Sequence, residues 1–314
     1  MAAQTGYGLY PVFVKKLGVG NTANPIVYCM VRDICCLPIL VLLALISHGW
    51  IGLPNWRDWL VFVVLGITGI FLNQLFFLLS VLFIGANVTS IFQQLIPIWA
   101  TILVVATCTE KFPSFKLLSA WLKLLGILFA VIGAIEMSFF RSNSQDSINK
   151  HHSWYGYIFI NLSTLSFSIY MVCQKRFIFD KPTNEWRTYP IWVLAWSYLP
   201  GSISISLASL YYISTPSAFY IAQQVWIVLV YAVIITSCFC YIIVAWSNSK
   251  ISASIVTAFW PIQVIVCFIA SYFINGELLN PLQYIGAVLV ISGLIAVITG
   301  RYLEERRERI EQEQ

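Results

Sequence analysis

The chain has 314 residues, of which 59% are apolar and only 10% charged. A soluble domain carries about 25% charged residues, so this chain cannot cover itself with a hydrated surface. Its net charge of +5 comes from basic residues that form no groove with interleaved aromatics, which argues against nucleic-acid binding.

Counted in apolar stretches of about 20 residues, the sequence predicts spans over 2–19, 25–47, 58–82, 86–107, 117–138, 154–175, 188–212, 222–246, 252–274 and 281–300. The first starts almost at Met1, holds Gly6, Gly8 and Pro11, and ends in Lys15-Lys16. No basic stretch precedes it, so it does not read as a cleaved leader; either the sequence starts late or this is a short helix packed inside the bundle. The second starts at Asn24-Pro25 and contains Arg32-Asp33. Arg32 lies about 10 Å along that helix at 1.5 Å per residue and is always protonated, so it requires a partner or water. Asp33 points about 100° away and is not expected to pair with it side-on. Arg32 therefore reads as a structural or gating charge. The third span carries Asn73 and Gln74; the fourth carries Gln94 and places Ser90, Gln93 and Pro97 on one face at i, i+3, i+7. Ser163, Ser166 and Tyr170 in the sixth, and Ser254, Thr257 and Pro261 in the ninth, repeat that spacing. Each proline removes a helical amide and leaves a carbonyl to be satisfied by protein or water. Gly126 and Gly133 in the fifth span, and Gly286 and Gly293 in the tenth, are two turns apart and suit close helix contact.

The chain nearly repeats itself after ~160 residues. Gly8-Leu9-Tyr10-Pro11-Val12-Phe13-Val14-Lys15-Lys16 returns as Ser168-Ile169-Tyr170-Met171-Val172-Cys173-Gln174-Lys175-Arg176, and Ser90-Ile91 to Pro97-Ile98 returns as Ser254-Ile255 to Pro261-Ile262. Five spans per half would turn the second copy upside down, the inverted-repeat architecture of secondary carriers. The expected fold is all-α and integral to the membrane: ten transmembrane helices as two inverted five-helix repeats. The divisions are 1–140 for the first repeat, 141–153 for a polar linker, 154–300 for the second repeat and 301–314 for a charged tail. On that topology 13 of the 18 basic residues fall on the side holding both termini, so both are expected in the cytosol. Trp50, Trp56, Trp59, Trp154, Tyr155 and Tyr302 sit at segment ends, as interfacial belts do.

The order of a polar helix, a proline, a glutamate and a Gly-rich helix, present twice, resembles the EamA domain of the drug/metabolite transporter superfamily. The second copy is the better match: Ser252-Ala253-Ser254-Ile255, Pro261, Gly276-Glu277, Gly286-Ala287 and Gly293. The first has Pro97, Glu110 and Gly126, with Glu110 closer to its proline. Asn24-Pro25 and Arg32-Asp33 resemble the plant nodulin-21/WAT1-like branch. The resemblance implies a multi-pass carrier of a small organic solute in the plasma membrane or an organelle membrane. Members handle amino acids, purines, sugar phosphates, nucleotide sugars and auxin-like compounds. It also implies alternating access around a pocket formed by the first, third, fourth, sixth, eighth and ninth spans.

Polar side chains in spans avoid lipid, so they mark either helix contacts or a wet cavity. Asn73, Gln74, Gln93, Gln94, Tyr10, Tyr170, Thr257 and Trp260 are the candidate substrate contacts. Lys15 and Lys175, closing the first helix of each repeat, join Arg32 as candidate gating charges. Lys15, Arg32, Lys175 and Arg176 are expected near the surfaces, leaving little fixed charge at the pocket centre. That favours a neutral or zwitterionic solute, or an anion steered by peripheral cations. Glu110 and Glu277 read as helix-end groups, and Glu136 as interfacial. The eight cysteines lack CxxC spacing and the three histidines fall in loops, so no metal or other cofactor is expected. Paired carboxylates, a His/Glu metal motif and a Ser/His pair are all missing, which argues against an enzyme. Expected partners are the solute and the lipid bilayer, with a homodimer left open. The alternatives are a non-transporting assembly or receptor-like protein, or a sugar-phosphate/nucleotide-sugar exchanger.

Overall fold

In lipid the only open-chain structure that satisfies its own amides is a helix, and a computed structural model of the chain is helical in this way. It describes residues 1–17, 19, 23–107, 118–139, 153–251, 253–276, 284–286, 288–289, 291–293, 295–296, 299–300 and 303. Glu110, Glu277, Cys108, linker residues 141–152 and most of the tail lie outside the described residues.

Helix α1 is Ala2–Lys16, and α2 is Pro25–His48, opened by Asn24, whose Oδ1 accepts from Ile26 N at 3.0 Å. Helix α3 runs Trp56–Ile84 and includes a π-helical stretch, Gly66–Leu72. Gly85, at φ 80°, turns the chain into α4, residues 86–106, which tightens to a 3-10 turn at Gln93–Leu95. The tight turn precedes Pro97, whose missing amide and ring disturb the carbonyl four residues back. Helix α5 is Leu118–Phe139. Helix α6 is Ser153–Gln174, continued by a π turn at Lys175–Phe179. Helix α7 is Pro190–Ser209. Helix α8, Gln223–Lys250, has its own π-helical stretch at Ala232–Cys240. Helix α9, residues 253–275, is broken into Ala253–Ala258 and Pro261–Asn275, again at a proline. Helix α10 includes Tyr284–Gly293.

Among the described residues, α2, α3, α6, α7, α8 and α9 are long and apolar enough to cross a membrane, and α4, α5 and α10 are shorter apolar helices. Helix α1 has 15 residues, about 23 Å, and falls short of the ~30 Å hydrocarbon layer. Lipid-ready faces point outward: Leu128, Phe129 and Ile132 of α5 are exposed, while Gly126 and Gly133 of the same helix, and Gly286 and Gly293 of α10, are buried. The protein is a multi-pass integral membrane protein.

Several contact pairs recur when α1–α5 are exchanged with α6–α10. Helix α1 packs on α9 as α6 packs on α4; α3 meets α6 as α8 meets α1; α3 meets α7 as α8 meets α2; and α2 pairs with α7. The first piece of α4 touches the second piece of α9, and the reverse, so the two broken helices cross. Glycine permits the closest approaches. A Cβ at Gly8 of α1 would stand 2.7 Å from the Gln263 carbonyl oxygen of α9, and one at Gly201 of α7 would stand 2.7 Å from Ile70 Cβ of α3. The thiols of Cys36 on α2 and Cys238 on α8 lie 3.3 Å apart and pack as small buried groups, whereas Cys35 is exposed on the outer face.

Candidate functional site

Where α4 and α9 cross, their amide side chains bridge the two breaks. Gln263 Nε2 donates to Gln93 Oε1. Gln94, 2% exposed, donates from Nε2 to Ser90 O at 3.2 Å and to Trp260 O at 3.4 Å. The break in α9 also turns the Trp260 ring inward. It stacks on Tyr7 of α1 at 6.3 Å between centroids and lies 5.2 Å from Phe167 of α6. Tyr241 of α8 meets both Tyr7 and Phe167 edge-on, and completes an aromatic wall.

The opposite wall is polar and built on the two π-helical stretches. A widened turn leaves carbonyls poorly placed for their own helix, and tyrosine hydroxyls from neighbouring helices take them up. Tyr241 OH donates to Gly69 O of α3 at 2.8 Å, and Tyr198 OH of α7 donates to Ser237 O of α8 at 3.4 Å. Asn73 Nδ2 donates to Tyr241 OH at 3.0 Å, and Ser163 Oγ of α6 lies 2.9 Å from both the carbonyl oxygen and Oδ1 of Asn73. Gln74 Nε2 donates to Tyr198 OH at 3.1 Å. Phe77, one turn further along α3, stacks on Tyr10.

Between these walls lies a cavity of about 60 Å³, room for a few waters. Its lining includes five buried polar atoms without a hydrogen-bond partner among the described residues: Tyr7 OH, Tyr10 OH, Arg32 Nη2, Gln74 Oε1 and Gln263 Oε1. Buried polar atoms are normally paired, so water or a polar guest can meet these. Aromatic faces with a few convergent donors and acceptors are the usual make-up of a small-molecule site.

Two expectations about Arg32 are corrected. Its guanidinium pairs with Asp33 through Nε, 3.1 Å from Oδ1, with the two side chains 3% and 1% exposed. The 100° between adjacent helix positions does not prevent this, because the long, flexible arginine folds back across its neighbour. Arg32 also lines the cavity and does not sit towards a surface, so a guanidinium balanced by Asp33 stands at the cavity wall.

Of the sequence-predicted contacts, Tyr10, Asn73, Gln74, Gln93 and Trp260 line the cavity. Gln94, Tyr170 and Thr257 are buried behind the wall. Tyr170 OH accepts from Gln174 Nε2 at 2.9 Å and Thr257 Oγ1 donates to Ala253 O at 3.1 Å. Lys175 is remote from the cavity, tying the ends of α6 and α8 together: its Nζ donates to Asn248 O at 3.1 Å and lies 3.3 Å from Asp180 Oδ1. Lys15 is half-buried at the end of α1, where the adjacent Lys16 donates from Nζ to Ile274 O of α9 at 3.0 Å. Tyr7, Phe77, Ile96, Phe167, Thr236, Ser237, Tyr241 and Gln263 also line the cavity, beyond the expected residues. Thr236-Ser237 interrupts the eighth span much as Asn73-Gln74 interrupts the third, and Gln263 is a polar residue just after Pro261; both signals were legible. The aromatics and Ile96 carry none, since such residues occur throughout the spans.

A helical bundle with lipid-ready faces and a mixed polar and aromatic cavity among its helices is the architecture of a membrane transporter. The profile of the EamA-like transporter family matches residues 1–132 and 154–299. The chain belongs to that family, and WAT1-related plant proteins are among its relatives. It is 23% identical over 284 residues to the WAT1-related protein At4g01430 of Arabidopsis thaliana, covering 82% of this chain and 76% of that one. The WAT1-related protein At1g11460 of the same plant is 24% identical, covering 88% and 80%. The "uncharacterized transporter YyaM" of Bacillus subtilis (strain 168) is 28% identical, covering 74% and 71%. A protein known from a crystal structure shares the fold with a TM-score of 0.72 at 14% identity, over 96% of this chain and 97% of the other.

Proposed function

We propose that this protein is a secondary carrier that moves a small organic solute across a membrane by alternating access. The observation that carries the reading is the cavity itself, with its unpartnered polar atoms supplied by α1, α2, α3 and α9. Both halves of the chain contribute to it, so a rocking of one half against the other opens and closes it. The exchange of contact partners between α1–α5 and α6–α10 supports two inverted repeats and ten spans. The tight cavity fits a closed state, in which a metabolite enters only as the walls part. Asn73, Gln74, Gln93, Tyr10 and Trp260 contact the solute in this reading, while Gln94, Tyr170 and Thr257 hold the contacting residues in place. Lys15 and Lys175 guard the two ends. The excess of basic residues on one side of the ten-span topology supports both termini in the cytosol.

Proteoliposome flux tests this with a panel of amino acids, purines, organic anions and sugar phosphates. A saturable flux of at least one solute whose KM rises in Gln93→Ala supports the proposal. Flux that is indifferent to every cavity substitution places the pathway elsewhere.

A further inference from the structure

Among the described residues Arg32, Asp33 and Lys175 are the buried charged side chains, and Lys175 is engaged away from the cavity. The Arg32–Asp33 pair is therefore the fixed charge beside the cavity, and its net charge is zero. Arg32 Nε binds Asp33 Oδ1 at 3.1 Å, while Arg32 Nη2 and Asp33 Oδ2 have no hydrogen bond within normal distance among the described residues; Arg32 lines the cavity and Asp33 sits beside it on α2. Tyr10 lines the same wall, with its hydroxyl in the polar reach of Arg32 and Tyr28.

Resting on the central-cavity proposal, we infer that Arg32 and Tyr10 form an anion site for the carboxylate of the transported solute, and that Asp33 takes up a proton when the site fills. The argument is charge balance. A carboxylate arriving at Arg32 adds a second buried negative charge beside one guanidinium, and buried charges in a low-dielectric interior must be paired. Uptake of one proton from water at Asp33 Oδ2 restores neutrality and frees the guanidinium for a two-pronged bond, the geometry arginine favours with carboxylates. No other group nearby can take that role at ordinary pH. The titratable neighbours are Tyr10 of α1, Tyr28, Cys29 and Cys36 of α2, Tyr198 of α7, and Tyr241 and Cys238 of α8, phenols and thiols that ordinarily titrate above neutral pH. Helix α3 contributes the neutral amides of Asn73 and Gln74. The site therefore couples one organic anion to one proton, and such a carrier moves both in the same direction without net charge.

The test measures binding, because small carboxylic acids leak through bilayers in their neutral form. The purified full chain in detergent is titrated calorimetrically with acetate, benzoate and glutarate, and with the amide of each. At least one acid should bind roughly tenfold more tightly than its amide, as expected of charge-assisted bonds. Repeating the titration in buffers of different ionisation enthalpy should give about one proton taken up per acid, with affinity falling about tenfold per pH unit as pH rises. Asp33→Asn should abolish the proton uptake and the pH dependence. Since a lone buried charge can prevent folding, the neutral double variant Arg32→Gln, Asp33→Asn serves as the second test and should lose the preference for acid over amide. Equal or undetectable binding of acid and amide in every pair overturns the anion site, as does an acid preference that survives in the double variant. Amide binding that Gln93→Ala weakens would keep the central cavity even then, whereas binding of any probe indifferent to Gln93→Ala moves the solute site elsewhere.

Discussion

Replacing Asn73 with alanine separates the solute contact from the scaffold. Asn73 lines the cavity and makes two side-chain bonds to other helices, to Tyr241 OH at 3.0 Å and with Ser163 Oγ at 2.9 Å. Neither partner is stranded by its loss: Tyr241 OH still donates to Gly69 O at 2.8 Å, and Ser163 Oγ still reaches the residue-73 carbonyl at 2.9 Å. Interhelical hydrogen bonds within a membrane average about 0.6 kcal/mol, so the two together are worth roughly 1.2 kcal/mol. The desolvation penalty of an orphaned group, about 1–3 kcal/mol, does not apply. Asn73→Ala should therefore express normally and melt only slightly below the wild type in detergent. In proteoliposomes its KM should rise several-fold with Vmax little changed, since the side chain offers the solute a contact. Two results would refute the reasoning. A collapse in abundance would make Asn73 a keystone of the fold, and an unchanged KM would remove it from the pathway.

Gly8→Val should lower folded yield in any solute, because even a Cβ there stands 2.7 Å from the Gln263 carbonyl and 2.9 Å from Val266 Cβ, an overpacking that costs about 1–3 kcal/mol; a normal melting curve would show that α1 and α9 are not in that contact. Gly293→Leu should likewise reduce abundance before it changes selectivity, because Gly293 is buried; altered preference in a normally folded variant would put α10 on the pathway. Lys175→Met should slow turnover at unchanged KM, since Lys175 ties α6 to Asn248 of α8 far from the cavity; a raised KM would bring it into the solute site. A glycosylation acceptor placed in residues 141–153 should be modified if both termini are cytosolic, and its protection would reverse the orientation.

Much of the fold was legible because span length and apolarity are local properties. Asn24-Pro25 announces the start of α2, and Pro97 and Pro261 announce the breaks in α4 and α9. Asn73, Gln74 and Gln93 stood out as polar groups in apolar helices, and all three line the cavity. Tyr170 and Thr257 obeyed the same rule and lie behind the wall. Polarity in a span says that a side chain avoids lipid, not which neighbour it turns to.

Membrane residence, the helical class and the short list of polar positions follow from the sequence by itself, since each depends on composition and spacing along one chain. The tertiary structure alone decided the rest. It folded Arg32 onto Asp33, turned Tyr7, Phe167, Tyr241 and Trp260 into one wall, and capped the carbonyls of two π-helical stretches with tyrosines. Those outcomes depend on the rotation of each helix about its axis. That rotation is set by packing between distant segments, as at Gly8 against Gln263 and at Gly201 against Ile70.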